Sequence, residues 1–259
     1  MVFYIFLPSD SSAAYYPGNT ISEYVTKLPK QIALDEGYEV GVSEMSIPLS
    51  FFNVREDDMY MMEIMESDNT GTVEPQVRRS SIPPGRYNKD ELIKVLCKTL
   101  PPLALTIKYN FSTKKVDLIV GRNNVYLSDA LFNVLGGEFT PPVNSAEPIF
   151  EKNTTYTGVN MIDFNCQINR LYIYSDVVEH RVVGDSYSNL LITIDNPPVK
   201  SGDVFGHTLV KRYGDVRFLP VSKNILDTIA ISIRDDQGRL IQFQNGKSMV
   251  ELAFRKKHV

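Results

Sequence analysis

Gly246-Lys247-Ser248 is the first of three short motifs whose residue types could do chemistry, because a Gly-Lys-Ser triplet can end a phosphate-binding loop. Such a loop also requires a glycine at position 241, where Ile241 stands. It must lead into a helix, whereas the alternation that includes Val250 and Leu252 predicts a strand. We therefore predict that Asn245-Gly246 forms the type I′ turn of a hairpin between two strands.

Two serine motifs resemble esterase nucleophiles. Gly184-Asp185-Ser186 resembles the nucleophile block of one esterase family, with His207 or His258 as candidates for the base. That block normally opens its domain, and its histidine follows an aspartate by three positions; neither condition holds here. Gly41-Val42-Ser43-Glu44-Met45 fails the nucleophile-elbow pattern at its last position. We therefore expect a polar loop at the first motif and a strand at the second.

The other titratable residues show no spacing that is typical of a metal site or an acid–base pair. The histidines and cysteines have no metal-ligand spacing among them: His180, His207, His258, Cys97 and Cys166. The adjacent acids Asp57-Asp58 and Asp235-Asp236 would point apart on a strand, and in turns they would cap backbone amides. We therefore predict no catalytic residue, no cofactor and no bound metal.

Length and composition indicate a folded β-protein. The chain has 259 residues, 43% of them hydrophobic, and a formal net charge of -4, which argues against disorder and against a protein that coats nucleic acid. Its 14 tyrosines and 13 phenylalanines favour strands. Two cysteines allow one disulfide at most, so we expect assembly in a reducing compartment, the cytoplasm or nucleus. The apolar start, residues 2–7, lacks a basic leader and is too short for a membrane span, so we predict a strand there.

Alternating apolar residues predict strands in the first and last parts of the chain. In the first part these segments are 2–7, 21–28, 38–47 and 59–65. After Asn160 they are 161–174, 177–183, 189–194, 208–212, 227–233, 240–243 and 250–254. Helical spacing is missing from both parts, so hairpins rather than helical crossovers should connect the strands, as in a sandwich or a barrel.

Between Ser80 and Pro148 the sequence pattern changes from strands alone to short strands mixed with helices. Asn88 with Glu91 predicts a capped helix that stops at Pro101-Pro102, and Ser128 predicts the cap of a second helix that ends at Gly136-Gly137. Short strands are predicted between them, at 105–109, 115–120 and 124–127. Because Pro-rich loops bound this stretch, we predict a small α/β module at 78–148, inserted into a sandwich built from 1–77 and 149–259. Strand 59–65 should then share a sheet system with the strands after Asn160, and a linker in place of 80–146 should leave a folded β-protein.

Two further clusters are interpreted as packing or surface features. Met59, Met61, Met62 and Met65 are typical of adaptable packing in a core or an interface. The basic end Arg255-Lys256-Lys257-His258 has two open interpretations. It could make a weak contact with nucleic acid or with a neighbour's acidic face, or it could be a solvated terminus.

Several strand and turn segments follow one another in a characteristic order along nearly the whole chain. They are FYIFLPS (3–9), YYPGNT (15–20), EVGVSE (39–44), PGRY (84–87), LYIYSD (171–176) and IRDD (233–236) with Gly238. In their order and spacing they resemble the minor capsid, or penton, proteins of Maverick/Polinton elements and adintovirus-like viruses. The resemblance does not distinguish an active virus from a transposable element resident in its host.

The resemblance implies a single jelly roll, five copies of which form a ring at each icosahedral vertex of the virion. It also implies a separate partner, a double-jelly-roll major capsid protein, and no catalytic residues. The predicted elements fit this fold independently of the resemblance. About eight strands interrupted by one α/β module are expected for a mainly β, single jelly-roll sandwich with a small insertion. A jelly-roll carbohydrate-binding module is the alternative function, although the absence of tryptophan counts against it. An esterase is the weakest alternative.

Overall fold

The computed structural model describes residues 2–65, 76–99, 103–199 and 205–257. The chain forms two compact units. The jelly-roll unit combines Met1–Phe51, Ile168–Pro197 and Val204–Val259, and the inserted unit contains Phe52–Gln167 with a short segment that begins at Pro198. The predicted boundaries of the inserted module, 78–148, fall inside the second unit, which begins earlier and ends later.

Strands dominate the described residues, and the two helices lie in the inserted unit. The first segment of the jelly-roll unit contains β1 (Val2–Pro8), β2 (Glu23–Ala33) and β3 (Tyr38–Pro48). The inserted unit contains β4 (Tyr60–Met65), β5 (Gln76–Ser81), α1 (Lys89–Thr99), β6 (Leu105–Tyr109), β7 (Val116–Val120), β8 (Asn124–Leu127), α2 (Asp129–Val134), β9 (Phe139–Thr140), β10 (Ile149–Phe150) and β11 (Thr155–Gly158). The chain then returns to the jelly-roll unit with β12 (Arg170–Ser175), β13 (Arg181–Val183), β14 (Ser186–Ser188), β15 (Leu190–Asp195), β16 (Thr208–Arg212), β17 (Leu219–Pro220), β18 (Ile225–Arg234) and β19 (Met249–Lys256).

The jelly-roll unit consists of two antiparallel sheets and one short hairpin. The first sheet has the order β1-β19-β3-β16, with β17 also paired to β3, and the second has the order β15-β12-β18-β2. The hairpin joins β13 and β14. Most neighbours in these sheets are far apart in the sequence, as the pairing of β1 with β19 illustrates. The predicted fold class, a mainly β jelly roll, is confirmed.

The core of the jelly-roll unit follows the alternation that the sequence shows. Ile229, Ile231 and Ile233 of β18 are buried while the residues between them are partly exposed, as predicted for this strand. Phe254 of β19 is also fully buried and stacks on Phe3 of β1, with ring centroids 5.0 Å apart. The core therefore holds β1, at the start of the chain, against β19, at its end.

The inserted unit has its own core and its own pair of four-stranded sheets. Their orders are β10-β8-β4-β5 and β6-β7-β11-β9. Helix α1 begins with the predicted capping box: the amide of Glu91 donates to Oδ1 of Asn88 at 3.0 Å, and the amide of Asn88 donates to Oε2 of Glu91 at 3.0 Å. Ser128 caps α2, also as predicted, and Gly136-Gly137 follows that helix with positive φ angles of 117° and 65°. The predicted helix stop at Pro101-Pro102 lies outside the described residues.

Four sequence predictions about strands are wrong, one of them being 177–183, of which only β13 (Arg181–Val183) is a strand. Strand β4, which contains the methionine cluster, pairs with β5 and β8 inside the inserted unit and not with the strands after Asn160. Residues 161–169 lie outside any strand, so the predicted strand at 161–174 is reduced to β12. Residues 240–243 form only isolated bridges, Leu240 to Arg234 and Phe243 to Phe51. In each case long-range pairing decides whether an apolar segment becomes a strand.

Candidate functional site

The structure places Gly246-Lys247-Ser248 in a bend before β19, without the helix that a phosphate-binding loop requires. The predicted hairpin is wrong as well, because β19 pairs with β1 and β3 rather than with residues 240–243. Gly246 does have a positive φ of 94°, but Asn245 does not, so the turn is not type I′. Lys247 forms an ion pair with Asp10, which lowers the pKa of that carboxyl group by a hydrogen bond.

Gly246→Val is expected to lower the free energy of unfolding by about 1 to 3 kcal/mol, because a β-branched residue is strained at positive φ. A Cβ atom at this position would also lie 2.7 Å from Cβ of Pro48. Urea titration followed by circular dichroism measures the change. Gly214→Val is the matched control, since nothing lies within 4 Å of its Cβ position. Equal stability of both variants would show that the Gly246 backbone is free to relax.

Lys247→Ala should leave both stability and nucleotide response unchanged, because its ion pair with Asp10 is exposed and such pairs contribute little. Thermal unfolding with and without magnesium and adenosine triphosphate measures this. A nucleotide-dependent rise in melting temperature that disappears in Lys247→Ala would restore the phosphate-loop interpretation.

The serines that could act as nucleophiles make structural contacts. Ser186 begins β14, and its hydroxyl donates to the carbonyl of Val183 at 3.1 Å across the turn. Ser43 lies within β3, as predicted, and its hydroxyl donates to the carbonyl of Glu251 at 3.2 Å.

Burial raises the pKa of Cys166, so its thiol is protonated near neutral pH. Within the described part of the chain, no three His, Cys, Asp or Glu side chains are grouped so that they could hold a metal ion.

The second pair of adjacent acids, Asp235-Asp236, caps backbone amides, as predicted for turns. In the first pair, Asp57 instead forms an ion pair with Arg79 at 3.4 Å. Asp235 is buried and accepts hydrogen bonds from the amides of Gln237 and Arg239, each at 2.9 Å. Asp236 accepts from the amides of Asn169 and Arg170 at 2.6 and 3.1 Å. Asp235 therefore stabilises the turn after β18 from within, and Asp236 fixes that turn to the residues that begin β12.

The basic end of the chain is largely neutralised by acids of the jelly-roll unit. Arg255 forms an ion pair with Glu39 at 3.0 Å and stacks over the ring of Phe218, 3.8 Å from its centroid. Lys256 forms an ion pair with Asp35 at 3.1 Å. These contacts favour a structural role for both cations over a contact with nucleic acid. His258 lies outside the described residues.

The outer face of β1 carries a row of exposed apolar side chains. Val2, Tyr4 and Phe6 alternate along the strand and are 48%, 55% and 60% exposed. The intervening side chains, Phe3 and Ile5, pack against the core of the unit. Both faces of β1 are thus apolar, although only one of them is covered within the chain.

Strand β1 also lies at the edge of the first sheet. Its one strand neighbour among the described residues is β19, which pairs with it from Val2 to Pro8. An edge strand with an apolar outer face offers both backbone hydrogen-bonding groups and a hydrophobic surface to a partner. Natural proteins usually protect such edges with charged residues or proline, and Val2–Leu7 contains neither.

The hairpin of β13 and β14 presents a second exposed apolar pair. Val182 and Tyr187 lie opposite each other in the pairing register and are 63% and 75% exposed. A cross-strand pair of this kind forms one continuous contact surface. The jelly-roll unit therefore has two different apolar surfaces, the β1 row (Val2, Tyr4, Phe6) and the hairpin pair (Val182, Tyr187).

Sequence reasoning did not single out either surface. The signal for the β1 row was present, because residues 2–7 are apolar without alternation, as in a strand that is covered on both faces. The hairpin pair gave no comparable signal, since the sequence does not show which apolar residues of a short strand are exposed, and exposed apolar residues are common on surfaces.

Comparison with solved structures shows which fold this is. The crystal structure of the selenomethionine-labelled mavirus penton protein matches with a TM-score of 0.52, covering 99% of this chain and 100% of that chain at 12% sequence identity. No protein-family model matches the sequence, and no curated protein matches it significantly. The chain thus shares its overall fold with the mavirus penton protein. Within the described residues, no helix combines the length and the apolar character needed to cross a membrane.

Proposed function

We propose that this protein is a structural capsid protein, a penton subunit that forms homopentamers at icosahedral vertices. The observation that carries the proposal is the match to the mavirus penton protein over 99% of the chain. The two exposed apolar surfaces of the jelly-roll unit support it, since monomeric proteins rarely leave an apolar edge strand open. No catalytic role is part of the proposal.

A closed ring requires two different surfaces on each subunit, because the contact between neighbours is heterologous. The β1 row of one copy is proposed to meet the hairpin pair of the next. Aromatic residues are enriched in such interfaces, and Tyr4, Phe6 and Tyr187 provide three of them. Repeating this contact five times would cover both surfaces in every copy.

The proposed partner beyond the ring is a double-jelly-roll major capsid protein, and the proposed location is the virion. Cys97 and Cys166 are free thiols in the structure, which is compatible with assembly in a reducing compartment, the cytoplasm or nucleus. Mixing the purified chain with a major capsid protein and examining the particles by electron microscopy tests this step. Density for the chain at the vertices supports it, and particles that exclude the chain contradict it.

The mass of the purified chain tests ring formation. The expected species is a pentamer of about five times 29.3 kDa, which becomes dominant as concentration rises. Multi-angle light scattering over a concentration series from about micromolar to millimolar covers the range in which weak rings form. A strictly monomeric chain that also stays out of particles would refute the proposal.

A carbohydrate-binding module is the second candidate, and one cleft favours it. A cavity of about 410 Å³ lies on the second sheet, lined by Tyr174, Asn189, Asp176 and Glu23 among others. A half-buried tyrosine among polar groups can stack on a sugar ring. Glycan-array binding that is lost in Tyr174→Ala would favour this function, and an array without signal would remove it.

A further inference from the structure

A second cavity in the jelly-roll unit brings two arginines together over an apolar floor. It has a volume of about 520 Å³ and is formed by Val42 of β3, by β13, by β15 and by the segment after β16. Arg181 and Arg217 line it together with Leu190, Ile192 and Tyr213. The volume falls in the range of sites for small organic ligands, which are typically apolar with a few placed polar groups.

Arg181 lines this cavity, and one nitrogen of its guanidinium group is covered by protein without making a hydrogen bond. Its Nε atom is buried and has no acceptor among the described residues. A buried donor without a partner destabilises the folded state, because the water it has lost is not replaced. Burial and the neighbouring charge of Arg217 both lower the pKa of Arg181, so the two guanidinium groups repel each other in a partly desolvated place.

One acidic residue faces the same cavity without neutralising it. Asp215 belongs to the lining, and no ion pair joins it to Arg181 or Arg217 among the contacts of the described residues. The cavity thus has two cationic groups, Arg181 and Arg217, and one anionic group, Asp215. Their formal charges sum to one positive charge. The matching ligand has a single negative charge.

We propose that this cavity binds a monoanionic carboxylate carried on an apolar body. The carboxylate accepts from the two Nη atoms of Arg181 in the planar, two-pronged manner that guanidinium groups favour, and Arg217 supplies the second positive charge. The apolar body lies on Leu190 and Ile192. Asp215 disfavours a second negative charge, so the site should prefer a carboxylate over a dianionic phosphate.

Two probes distinguish the sources from which such a carboxylate could come. Hexanoate represents a free small molecule, and a short peptide ending in leucine represents the chain end of a protein, with its C-terminal amide as control. Isothermal titration calorimetry and ligand-observed nuclear magnetic resonance measure binding to the full chain. We expect saturable binding of at least one carboxylate with a dissociation constant of about 0.1 to 1 mM. Hexanol, hexylamine, inorganic phosphate and the peptide amide should bind at least about tenfold more weakly.

Three cavity variants and one control make the test specific. Arg181→Lys should weaken carboxylate binding about tenfold or more, because an ammonium group cannot make the two-pronged contact. Arg217→Gln, at an exposed side chain, should weaken it several-fold without affecting the fold. Asp215→Asn should tighten binding and relax the discrimination against phosphate. Arg79→Gln, which removes an exposed arginine paired with Asp57 in the inserted unit, should change nothing.

The proposal is overturned if neither carboxylate binds saturably. It is equally overturned if binding occurs but is the same in Arg181→Lys, Arg217→Gln and Arg79→Gln, because the cavity would then not be the site. Unfolding of Arg181→Lys would leave the exposed Arg217 and Asp215 variants to decide the outcome by their opposite effects on affinity.

Discussion

Replacing Tyr4 and Phe6 together by glutamate should leave the protein folded and monomeric under conditions in which the unmodified chain is proposed to form rings. Both side chains project outward from β1 and are more than half exposed, so the monomer loses little core packing. In a ring, each subunit contact would bury two unpaired carboxylates, which costs several kcal/mol per contact. Since each 1.4 kcal/mol is about a tenfold change in affinity, the dissociation constant should rise by at least about a thousandfold.

The matched control for this variant is Met161→Glu. Met161 is 63% exposed, close to the value for Phe6, but it lies in the inserted unit. It introduces one glutamate, against two in the test variant, at an exposed apolar position outside the proposed contact and should leave the mass distribution unchanged. Analytical ultracentrifugation gives the mass, and circular dichroism confirms the fold. Rings that persist in the Tyr4 and Phe6 variant would place the contact elsewhere on the subunit.

The hairpin pair offers an independent check of the same contact. Tyr187→Glu changes the other proposed surface, so by itself it should also give monomers. Mixing the β1 variant with the hairpin variant is informative because each then retains one intact surface. Such a mixture should give dimers at most, since a heterologous contact can form once between them but cannot close into a ring.

Local sequence patterns were sufficient for elements whose conformation is decided locally. The capping box at Asn88 and Glu91 is confirmed because its hydrogen bonds join residues three positions apart. Strand β18 is confirmed because one of its faces is buried and the other is partly exposed, which produces a clear period of two.

Pairing between distant segments could not be predicted in the same way. Asn245-Gly246 satisfies the local rule for a hairpin, yet the strand after it pairs with the opposite end of the chain, from Val2 to Pro8. Strand β4 was assigned to the wrong sheet because its alternation fits any sheet with one buried face. Local turn propensity contributes less than the core contacts of Phe254 and Phe3, and the core contacts prevail.

The candidate surfaces also differ in whether local sequence could reveal them. The β1 row could have been found, because an apolar residue at every position from 2 to 7 indicates a strand that needs cover on both faces. The arginine cavity could not have been found from the sequence. Its two arginines, Arg181 in β13 and Arg217 in the segment after β16, are more than thirty positions apart. The resemblance to penton proteins rests on the order of many segments rather than on any one site. The observed fold agrees with it.

The two cores allow a strong prediction about folding. Replacing Phe52–Gln167 with a short Gly/Ser linker should leave a cooperatively folded jelly-roll unit. Among the described residues, the strands of that unit pair only with other strands of the same unit. Its core cluster contains no residue of the removed segment. The side-chain amide of Asn53 donates to the carbonyl of Phe164 at 3.4 Å, so the chain enters and leaves the inserted unit side by side. A short linker can therefore span the gap.

The narrower deletion of 80–146 should behave in the opposite way, although the sequence alone predicts a folded β-protein for it, because β4 pairs inside the inserted unit. It removes β8, the partner of β4, and leaves Met61, which is fully buried in the intact chain, without its covering residues. An unpaired strand with exposed methionines favours aggregation. Urea titration of both deletions, followed by circular dichroism and size-exclusion chromatography, compares them directly. The expected result is one cooperative transition for the 52–167 deletion and aggregation for the 80–146 deletion. Loss of all structure in the wider deletion would show that the jelly-roll unit cannot fold without the inserted one.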